Sequence, residues 1–294
     1  YQINGPNDVT RSNFGNPDLT WEQSDMINVG ADFGLFEDHL ILEQPERAAL
    51  RGQALSVDET LKLAQADGAA REEIREAADA LNRRLHGEVV TYVVNRNANF
   101  TNVCTTNCSF CGFYRPPGHP EAYTRTVGAV VERVLQTPWV TEVCLQGGIH
   151  PSYDGFTYHG IVAAVKSAVP DMHVHAFSPL EVHHGATTLG LSYEDYLADL
   201  KTAGLATLPG TAAEILSDDI RAIICPDKVD TQQWLAVMRA AHRVGLKSTA
   251  TIMFGHVETY DHWAEHLLQL RWLQAETGGF TEFVPLPFVH MEAP

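Results

Sequence analysis

Three cysteines lie close together in one short stretch of the sequence. Cys104, Cys108 and Cys111 form a C-x3-C-x2-C run within NFTNVCTTNCSFCGF, residues 99–113. Thiolate sulfur is a soft ligand that suits iron–sulfur clusters, zinc and copper(I), so three thiols on one loop indicate a metal centre. A tetrahedral ion needs four ligands. The run therefore predicts a metal centre in which one position is left for another group.

Three interpretations of the missing ligand are open at this point. A Cys3His zinc site would use His119, eight residues after Cys111. Free structural cysteines or a redox pair would need no fourth ligand. A 4Fe–4S cluster on three cysteines would leave one iron free to bind another molecule. Cys144 lies in an apolar run and Cys225 beside a proline, so both are expected in the core.

Two helices are predicted before the cysteines. From Ser56 the apolar residues recur at helical spacing, and Ser56 with Glu59 has the spacing of a capping box. The helical region, 56–87, ends at Gly87. Residues 1–55 are rich in Asn, Asp, Gly and Pro and predict an irregular arm or linker, so the barrel domain is placed at 56–294.

Strands and helices are predicted to alternate from residue 88 onward. EVVTYVVN, residues 88–95, predicts a buried strand directly before the cysteine loop. Five more strands are predicted in TEVCLQGG, MHVHAFSP, LATLPG, LKSTATIMFG and FTEFVPLPF, each separated from the next by a helical pattern. Six such units favour an α/β fold of the (β/α) TIM type, with the chemistry at the carboxyl ends of the strands. Because eight units make a complete barrel, the barrel is expected to be partial or C-terminally truncated, with the two early helices as an N-terminal extension.

Composition restricts the partners. Thirty-seven acidic and twenty basic residues give a formal charge of −17, which repels nucleic acid and anionic lipid. We find no apolar run of about 18 residues and no secretory signal, so no membrane partner is predicted. Clustered cysteines are not typical of a secreted disulfide framework, and a cytoplasmic protein with small-molecule substrates is expected.

The cysteine run resembles that of the radical S-adenosylmethionine (radical SAM) enzymes, in its spacing, in the aromatic Phe110 before the last cysteine, and in its place after the first strand. The resemblance implies that Cys104, Cys108 and Cys111 bind a 4Fe–4S cluster. It also implies that the open iron is chelated by the amino and carboxylate groups of S-adenosylmethionine (SAM). Reductive cleavage of SAM would then release a 5′-deoxyadenosyl radical.

Two further motifs strengthen the resemblance. LQGG, with Gln146, Gly147 and Gly148, resembles the glycine motif that takes the SAM amino group. TIMFGHVE resembles a fifth-strand motif in which Gly255 and Glu258 are kept, while Thr251 and Met253 replace a Gly and an Ile. The resulting assignments are cofactor binding for Phe110, Gln146, Gly147, Gly148, Ser178, Glu181, Glu214 and Gly255, substrate contact for His175, and proton transfer for His256 and Glu258.

The sequence of residues 55–294 as a whole resembles the C-terminal half of the FO synthase family. That resemblance implies an enzyme that fragments L-tyrosine and couples the 4-hydroxybenzyl group to 5-amino-6-(D-ribitylamino)uracil in coenzyme F420 biosynthesis. The expected partners are the first half or subunit of FO synthase and an electron donor such as ferredoxin or flavodoxin. The alternatives are a radical SAM enzyme of the futalosine pathway to menaquinone and, outside catalysis, a zinc-stabilised binding module.

Overall fold

Six parallel strands in chain order form the central sheet of the computed structural model, which describes residues 2–3, 9–10, 45–50 and 54–293. Before the sheet, strands β1 (Gln2–Ile3) and β2 (Val9–Thr10) pair antiparallel, and helix α1 (Pro45–Leu50) lies against the two helices that follow it. Most of the predicted arm, residues 1–55, is outside the described residues. The boundary after residue 55 therefore stays a prediction.

The helical extension is confirmed. Helices α2 (Val57–Ala64) and α3 (Gly68–His86) precede the barrel, and Gly87 ends α3 with a φ of 68°. The capping box of α2 is present in both directions. Glu59 N–H donates to Ser56 Oγ at 3.3 Å, and Ser56 N–H donates to Glu59 Oε2 at 2.8 Å. These bonds satisfy two of the backbone donors that the first turn of a helix leaves unpaired.

The central sheet has the order β3-β4-β5-β6-β7-β8, with every neighbouring pair parallel. Its strands are β3 (Asn95–Asn97), β4 (Glu142–Leu145), β5 (His173–Ala176), β6 (Thr207–Leu208), β7 (Lys247–Phe254) and β8 (Phe280–Pro287). The helices between them are α4 (Val127–Leu135), α5 (Gly155–Ala168), α6 (Pro179–Leu189), α7 (Tyr193–Ala203), α8 (Asp218–Ile224), α9 (Thr231–Arg243) and α10 (Tyr260–Thr277), and a 3-10 turn (His290–Glu292) follows β8. Within the described residues β3 and β8 do not pair with each other, so the predicted partial TIM-type barrel is confirmed.

One predicted strand is wrong in position. Residues 88–94 are not a strand, and Val89, Val90 and Tyr92 are 72%, 74% and 69% exposed. The strand begins at Asn95 and pairs only with β4. The run has the composition of a strand, but β propensity reflects packing against neighbours, and no described element covers this run.

The sheet packs one face against the helices. Val143 and Leu145 of β4, like Val174 and Ala176 of β5, are completely buried in the main apolar cluster. The residues between them on each strand are only partly buried. This alternation follows from the two-residue period of a strand and leaves polar side chains on the barrel's inner face. None of the helices in the described ranges is both long and apolar enough to span a bilayer.

Helix α6 was not predicted from the sequence. It carries His183 and His184. On the helix, His183 Nδ1 lies 2.6 Å from the Tyr193 hydroxyl and His184 Nε2 lies 2.9 Å from the Tyr153 carbonyl oxygen. Both imidazoles therefore join α6 to neighbouring segments.

Candidate functional site

A cavity of about 200 Å³ opens at the carboxyl ends of the strands. Nine of the fourteen predicted site residues line it: Cys104, Cys108, Cys111, Gln146, Gly147, Gly148, Ser178, Glu181 and Glu214. The strands bring Cys104 and Glu214, which are 110 positions apart in the chain, to one cavity, as a parallel barrel requires. Lys228, Thr106 and Thr211 also line the cavity and were not predicted.

The cysteine loop faces this cavity. Cys104 and Cys108 are buried and Cys111 is partly buried. Thr106 Oγ1 lies 2.9 Å from Cys104 Sγ and accepts from Cys108 Sγ at 3.7 Å, while Ile149 N–H donates to Cys104 Sγ at 3.3 Å. Burial raises the pKa of the Cys108 thiol to about 11, against the opposing effect of Lys228.

Two polar side chains fold the cysteine loop onto the segment that follows it. Asn102 accepts from Tyr123 N–H at 2.7 Å and donates to the Glu121 carbonyl at 3.0 Å. The Thr101 hydroxyl donates to the Tyr123 carbonyl at 2.8 Å. Side-chain bonds to backbone groups take the place of a regular ladder here. They fix the start of the loop that carries the thiols.

The two glycines of LQGG are required by packing. A Cβ on Gly147 would lie 2.4 Å from the Phe100 ring, and one on Gly148 would lie 2.3 Å from the Val103 carbonyl oxygen. Gly148 N–H also donates to the Thr101 carbonyl at 3.0 Å. The glycine motif thus packs directly against the cysteine loop. This contact is a reason for glycine in addition to the predicted close approach of SAM.

Glu181 joins the glycine motif to helix α6. One carboxylate oxygen accepts from Gly147 N–H at 3.0 Å. The other accepts from Ser178 N–H at 2.8 Å and from the Ser178 hydroxyl at 2.7 Å, which completes a capping box. Burial raises the pKa of Glu181 to about 7, and its hydrogen bonds with Ser178 and Gly147 oppose that rise.

We expect Glu181→Gln to loosen the glycine motif. Both backbone partners are N–H donors, so the new amide group would face one of them and leave a buried donor unsatisfied. The expected loss is about 1–3 kcal/mol in the free energy of unfolding, together with weaker SAM binding. Urea unfolding and calorimetry with SAM measure the two effects. Glu59→Gln is the matched control, because Glu59 has the same capping role on α2.

Unchanged SAM affinity in Glu181→Gln, or an equal loss of SAM affinity in Glu59→Gln, would contradict the role given to the Gly147 contact.

Stability is expected to rise with pH between about 4.5 and 6.5. Burial lowers the pKa of His175 and His242 to about 4 and of His266 to about 3. In this window the unfolded chain binds protons that the folded histidines do not, so unfolding becomes harder as pH rises. The raised pKa of Glu181 acts in the opposite direction from its ordinary value to about 7, and offsets one histidine. The net gain is on the order of a few kcal/mol.

Urea unfolding of the cluster-free protein across this range tests the slope. His242→Gln should reduce it, because that imidazole is held between Thr277 and Ser248 hydroxyls at 2.7 and 2.8 Å. His119→Gln, at an exposed position, should leave it unchanged. A slope of the opposite sign would contradict the assignment of neutral buried histidines.

Three residues near the cavity have left-handed backbones although none is glycine. Phe177, Ala212 and Glu214 have φ values of 62°, 62° and 45°. They follow strands β5 and β6, where the cavity opens. Such conformations cost energy and tend to occur at functional sites. The surrounding contacts must therefore hold this backbone in place.

Arg221 supplies much of that support. Its guanidinium group is buried, and it donates to the carbonyl oxygens of Ala212, Ala213, Ile215 and Val229. The bonds to Ile215 and Ala212 are each 3.2 Å long. The segment that carries Glu214 is thus fastened to helix α8 by one side chain.

The two predicted proton-transfer residues do not line the cavity. Glu258 accepts from the N–H groups of Gly255 and His256, the latter at 2.8 Å, and from Trp263 Nε1 at 2.9 Å. Burial favours the neutral acid, but these hydrogen bonds outweigh it and lower the pKa of Glu258. His256 Nδ1 lies 3.0 Å from Glu258 Oε2 but has no well-directed hydrogen bond. The hydrogen bonds of Glu258 stabilise the turn after β7. The roles assigned to His256, Glu258 and Gly255 stay predictions.

His175 and Phe110 also lie outside the cavity wall. His175 Nδ1 is 2.8 Å from the Thr207 hydroxyl, on the strands below the cavity. Phe110 packs in an apolar cluster with Cys108, and Lys228 Nζ lies 5.1 Å from the centre of its ring. Substrate contact by His175 and SAM contact by Phe110 stay predictions.

The donor set fits an iron–sulfur cluster with SAM beside it. Three thiols, a glycine pair and the carboxylates of Glu181 and Glu214 face one cavity. In the described part of the chain, no three His, Cys, Asp or Glu side chains converge closely enough for a single ion. A cluster of four irons is wider than one ion, so its thiolates need not converge on one point.

Comparison with known proteins places this site in a family. The model of the radical SAM superfamily matches residues 98–270, which include the cysteine loop and strands β4 to β7. The chain belongs to the radical SAM superfamily. Enzymes of this superfamily use a 4Fe–4S cluster and SAM, as the three thiols predict.

Curated relatives are similar over most of this chain. It is 50% identical to the FO synthase of Mycobacterium tuberculosis over 251 residues, which are 84% of this chain and 29% of that protein. It is 45% identical to the 5-amino-6-(D-ribitylamino)uracil–L-tyrosine 4-hydroxyphenyl transferase of Methanocaldococcus jannaschii over 249 residues, which are 83% of this chain and 69% of that protein. The radical SAM chain thus spans about three tenths of the length of the FO synthase.

Solved structures share the fold. The FeFe-hydrogenase maturase HydG from Carboxydothermus hydrogenoformans has a TM-score of 0.66 at 16% identity, over 83% of this chain and 56% of HydG. Methylornithine synthase has a TM-score of 0.62 at 17% identity, over 83% of this chain and 68% of that enzyme. At these identities the likeness concerns the radical SAM barrel alone.

Proposed function

We propose that this radical SAM protein cleaves L-tyrosine between Cα and Cβ and joins the 4-hydroxybenzyl group to 5-amino-6-(D-ribitylamino)uracil. The other product is 2-iminoacetate. The observation that carries the proposal is the single cavity in which three cysteines face the glycine motif and two carboxylates. The 45% identity to a transferase named for these two substrates supports the choice among radical SAM reactions.

Each group at the cavity has a role in this proposal. Cys104, Cys108 and Cys111 would hold the cluster, which together with SAM would supply a carbon radical able to remove a hydrogen atom from tyrosine. Glu214 offers an acceptor to the ammonium or ribose hydroxyls of SAM. Gln146 Nε2 donates to the Thr211 hydroxyl at 3.1 Å, and both residues add polar groups to the cavity lining.

Proton transfer during the coupling is assigned to His256 and Glu258. An imidazole can both accept and donate a proton, which suits transfer to or from a phenol or a uracil. Because the cavity wall does not include them, the assignment requires the turn after β7 to move toward the cavity when substrate binds.

The partners complete the proposal. The first half or subunit of FO synthase would use the same diaminouracil adduct next, and a small reduced protein such as ferredoxin or flavodoxin would supply the electron. A cytoplasmic location suits an oxygen-sensitive cluster with an open iron.

An anaerobic assay tests the function. Reconstituted, reduced protein is incubated with SAM, tyrosine and the diaminouracil, and mass spectrometry follows the coupled adduct and the glyoxylate that forms from 2-iminoacetate. We expect both products, with 5′-deoxyadenosine at a comparable amount. Leaving out the diaminouracil is the control for the coupling step.

Formation of 5′-deoxyadenosine without loss of tyrosine would contradict the tyrosine cleavage and favour a futalosine-pathway substrate. Colourless protein with stoichiometric zinc would favour the binding module instead.

A further inference from the structure

Lys228 is a largely enclosed cation that none of the sequence motifs assigned. Its side chain is 11% exposed, lines the cavity, and forms an ion pair with Glu214 at 2.5 Å. Burial opposes its charged form, but Glu214 and the nearby thiols of Cys108 and Cys225 raise the pKa of Lys228 overall. Lys228 therefore carries a positive charge inside the site.

The segment before Lys228 is fastened to the cysteine loop on both sides of Cys108. Ser109 N–H donates to the Ile224 carbonyl at 2.9 Å, and Asn107 N–H donates to Asp227 Oδ2 at 3.3 Å. Lys228 N–H donates to the Cys225 carbonyl at 3.0 Å, which closes the turn after α8. These contacts set the position of the lysine relative to the thiols.

Lys228 and the three cysteines line the same cavity. Lys228 Nζ lies 5.1 Å from the ring centre of Phe110, one of the two residues between Cys108 and Cys111. That distance is within the range of a cation–π contact. Lys228 lowers the pKa of the Cys108 thiol and Glu214 raises it, and the effect of Lys228 is the larger of the two. Lys228 is therefore a positive charge that acts on the Cys108 thiol.

We infer that Lys228 compensates the negative charge of the three-cysteine cluster and favours its reduced state. This rests on the cluster in the proposed function. A reduced cluster carries one more negative charge than an oxidised one, and net charge and burial are among the determinants of its potential. A desolvated ammonium beside Cys108 stabilises the more negative state more strongly, because screening is weak in the protein interior.

The test is a potentiometric titration of the reconstituted protein, in which the electron paramagnetic resonance signal measures the amount of reduced cluster. We expect Lys228→Met to reduce the ratio of reduced to oxidised cluster at a fixed potential at least ten-fold, which is about 59 mV for one electron. Lys228→Arg keeps the charge and should stay within three-fold of the unsubstituted protein. Lys247→Met, an exposed lysine at the amino end of β7, should leave the potential unchanged.

A second comparison separates charge from structural damage, because Lys228→Met leaves Glu214 without its partner. Lys228→Met with Glu214→Gln should have a lower potential than Glu214→Gln alone. Loss of the cluster from Lys228→Met and from Lys228→Met with Glu214→Gln would also support charge compensation by Lys228. This holds if Lys228→Arg still binds the cluster and circular dichroism shows that all the variants are folded. Equal potentials in Glu214→Gln and in Lys228→Met with Glu214→Gln would overturn the inference about Lys228 while leaving the proposed function intact. An unsubstituted protein without an iron–sulfur cluster would overturn both.

Discussion

Cys108→Ala is expected to abolish cluster binding, with iron falling from about four atoms per chain to a trace. Cys108 is buried, faces the cavity, and is flanked by the backbone contacts that hold the loop to Ile224 and Asp227. With two thiols left, a cluster would keep only two of its three protein ligands, and 5′-deoxyadenosine production should disappear. Iron analysis and visible absorption after anaerobic reconstitution measure the loss.

Cys225→Ala is the matched control for this prediction. Cys225 is buried in the same apolar cluster as Cys108 but does not line the cavity. The control should bind iron as the unsubstituted protein does, and cost only the small amount of stability that follows from a lost sulfur in the core. Full iron content in Cys108→Ala, or its loss in Cys225→Ala, would show that the cluster ligands have been wrongly assigned.

Arg221→Met is expected to be strongly destabilising. It removes the donors for the carbonyls of Ala212, Ala213, Ile215 and Val229, which are all buried residues. Each buried acceptor left without a partner is costly, so the free energy of unfolding should fall by about 3 kcal/mol or more. Because the same segment holds the left-handed backbone at Glu214, SAM affinity should fall as well.

Urea unfolding and calorimetry test this pair of effects. Arg243→Met is the control, since Arg243 is an exposed arginine whose partners are Glu194 and Glu276. Exposed ion pairs contribute little, so that change should stay within about 0.5 kcal/mol. An Arg221→Met protein as stable as the Arg243→Met protein would contradict the role of Arg221 as the fastening of the Glu214 segment.

Local sequence patterns were sufficient where the cause is local. The capping box of Ser56 and Glu59 and the C-terminal Gly87 depend on residues within one turn, and both were predicted from spacing alone. Ser178 and Glu181 have the same spacing with Pro179 at the first helical position, so helix α6 had a readable start signal. Because the apolar pattern of α6 is weak, no helix was predicted there, and Ser178 and Glu181 were assigned to cofactor binding.

Contacts between distant segments could not be predicted in this way. The exposure of residues 88–94 depends on what covers the edge of the sheet, which an apolar pattern does not specify. Lys228 and Arg221 act through a carboxylate and backbone carbonyls at positions that only the folded chain brings together. The three cysteines could be predicted because their spacing within one loop is visible in the sequence. The roles of His175 and His256 depend on where their side chains point in the fold, and neither residue lines the cavity.

Electron paramagnetic resonance of the reduced, reconstituted protein with and without SAM tests the central claim most directly. If three thiols hold a 4Fe–4S cluster whose fourth iron is open to the cavity, the reduced protein will have a cluster signal, and SAM will change that signal by binding to the open iron. A cluster signal that SAM leaves unchanged would contradict the open position, and a protein that binds zinc with no such signal would contradict the cluster itself.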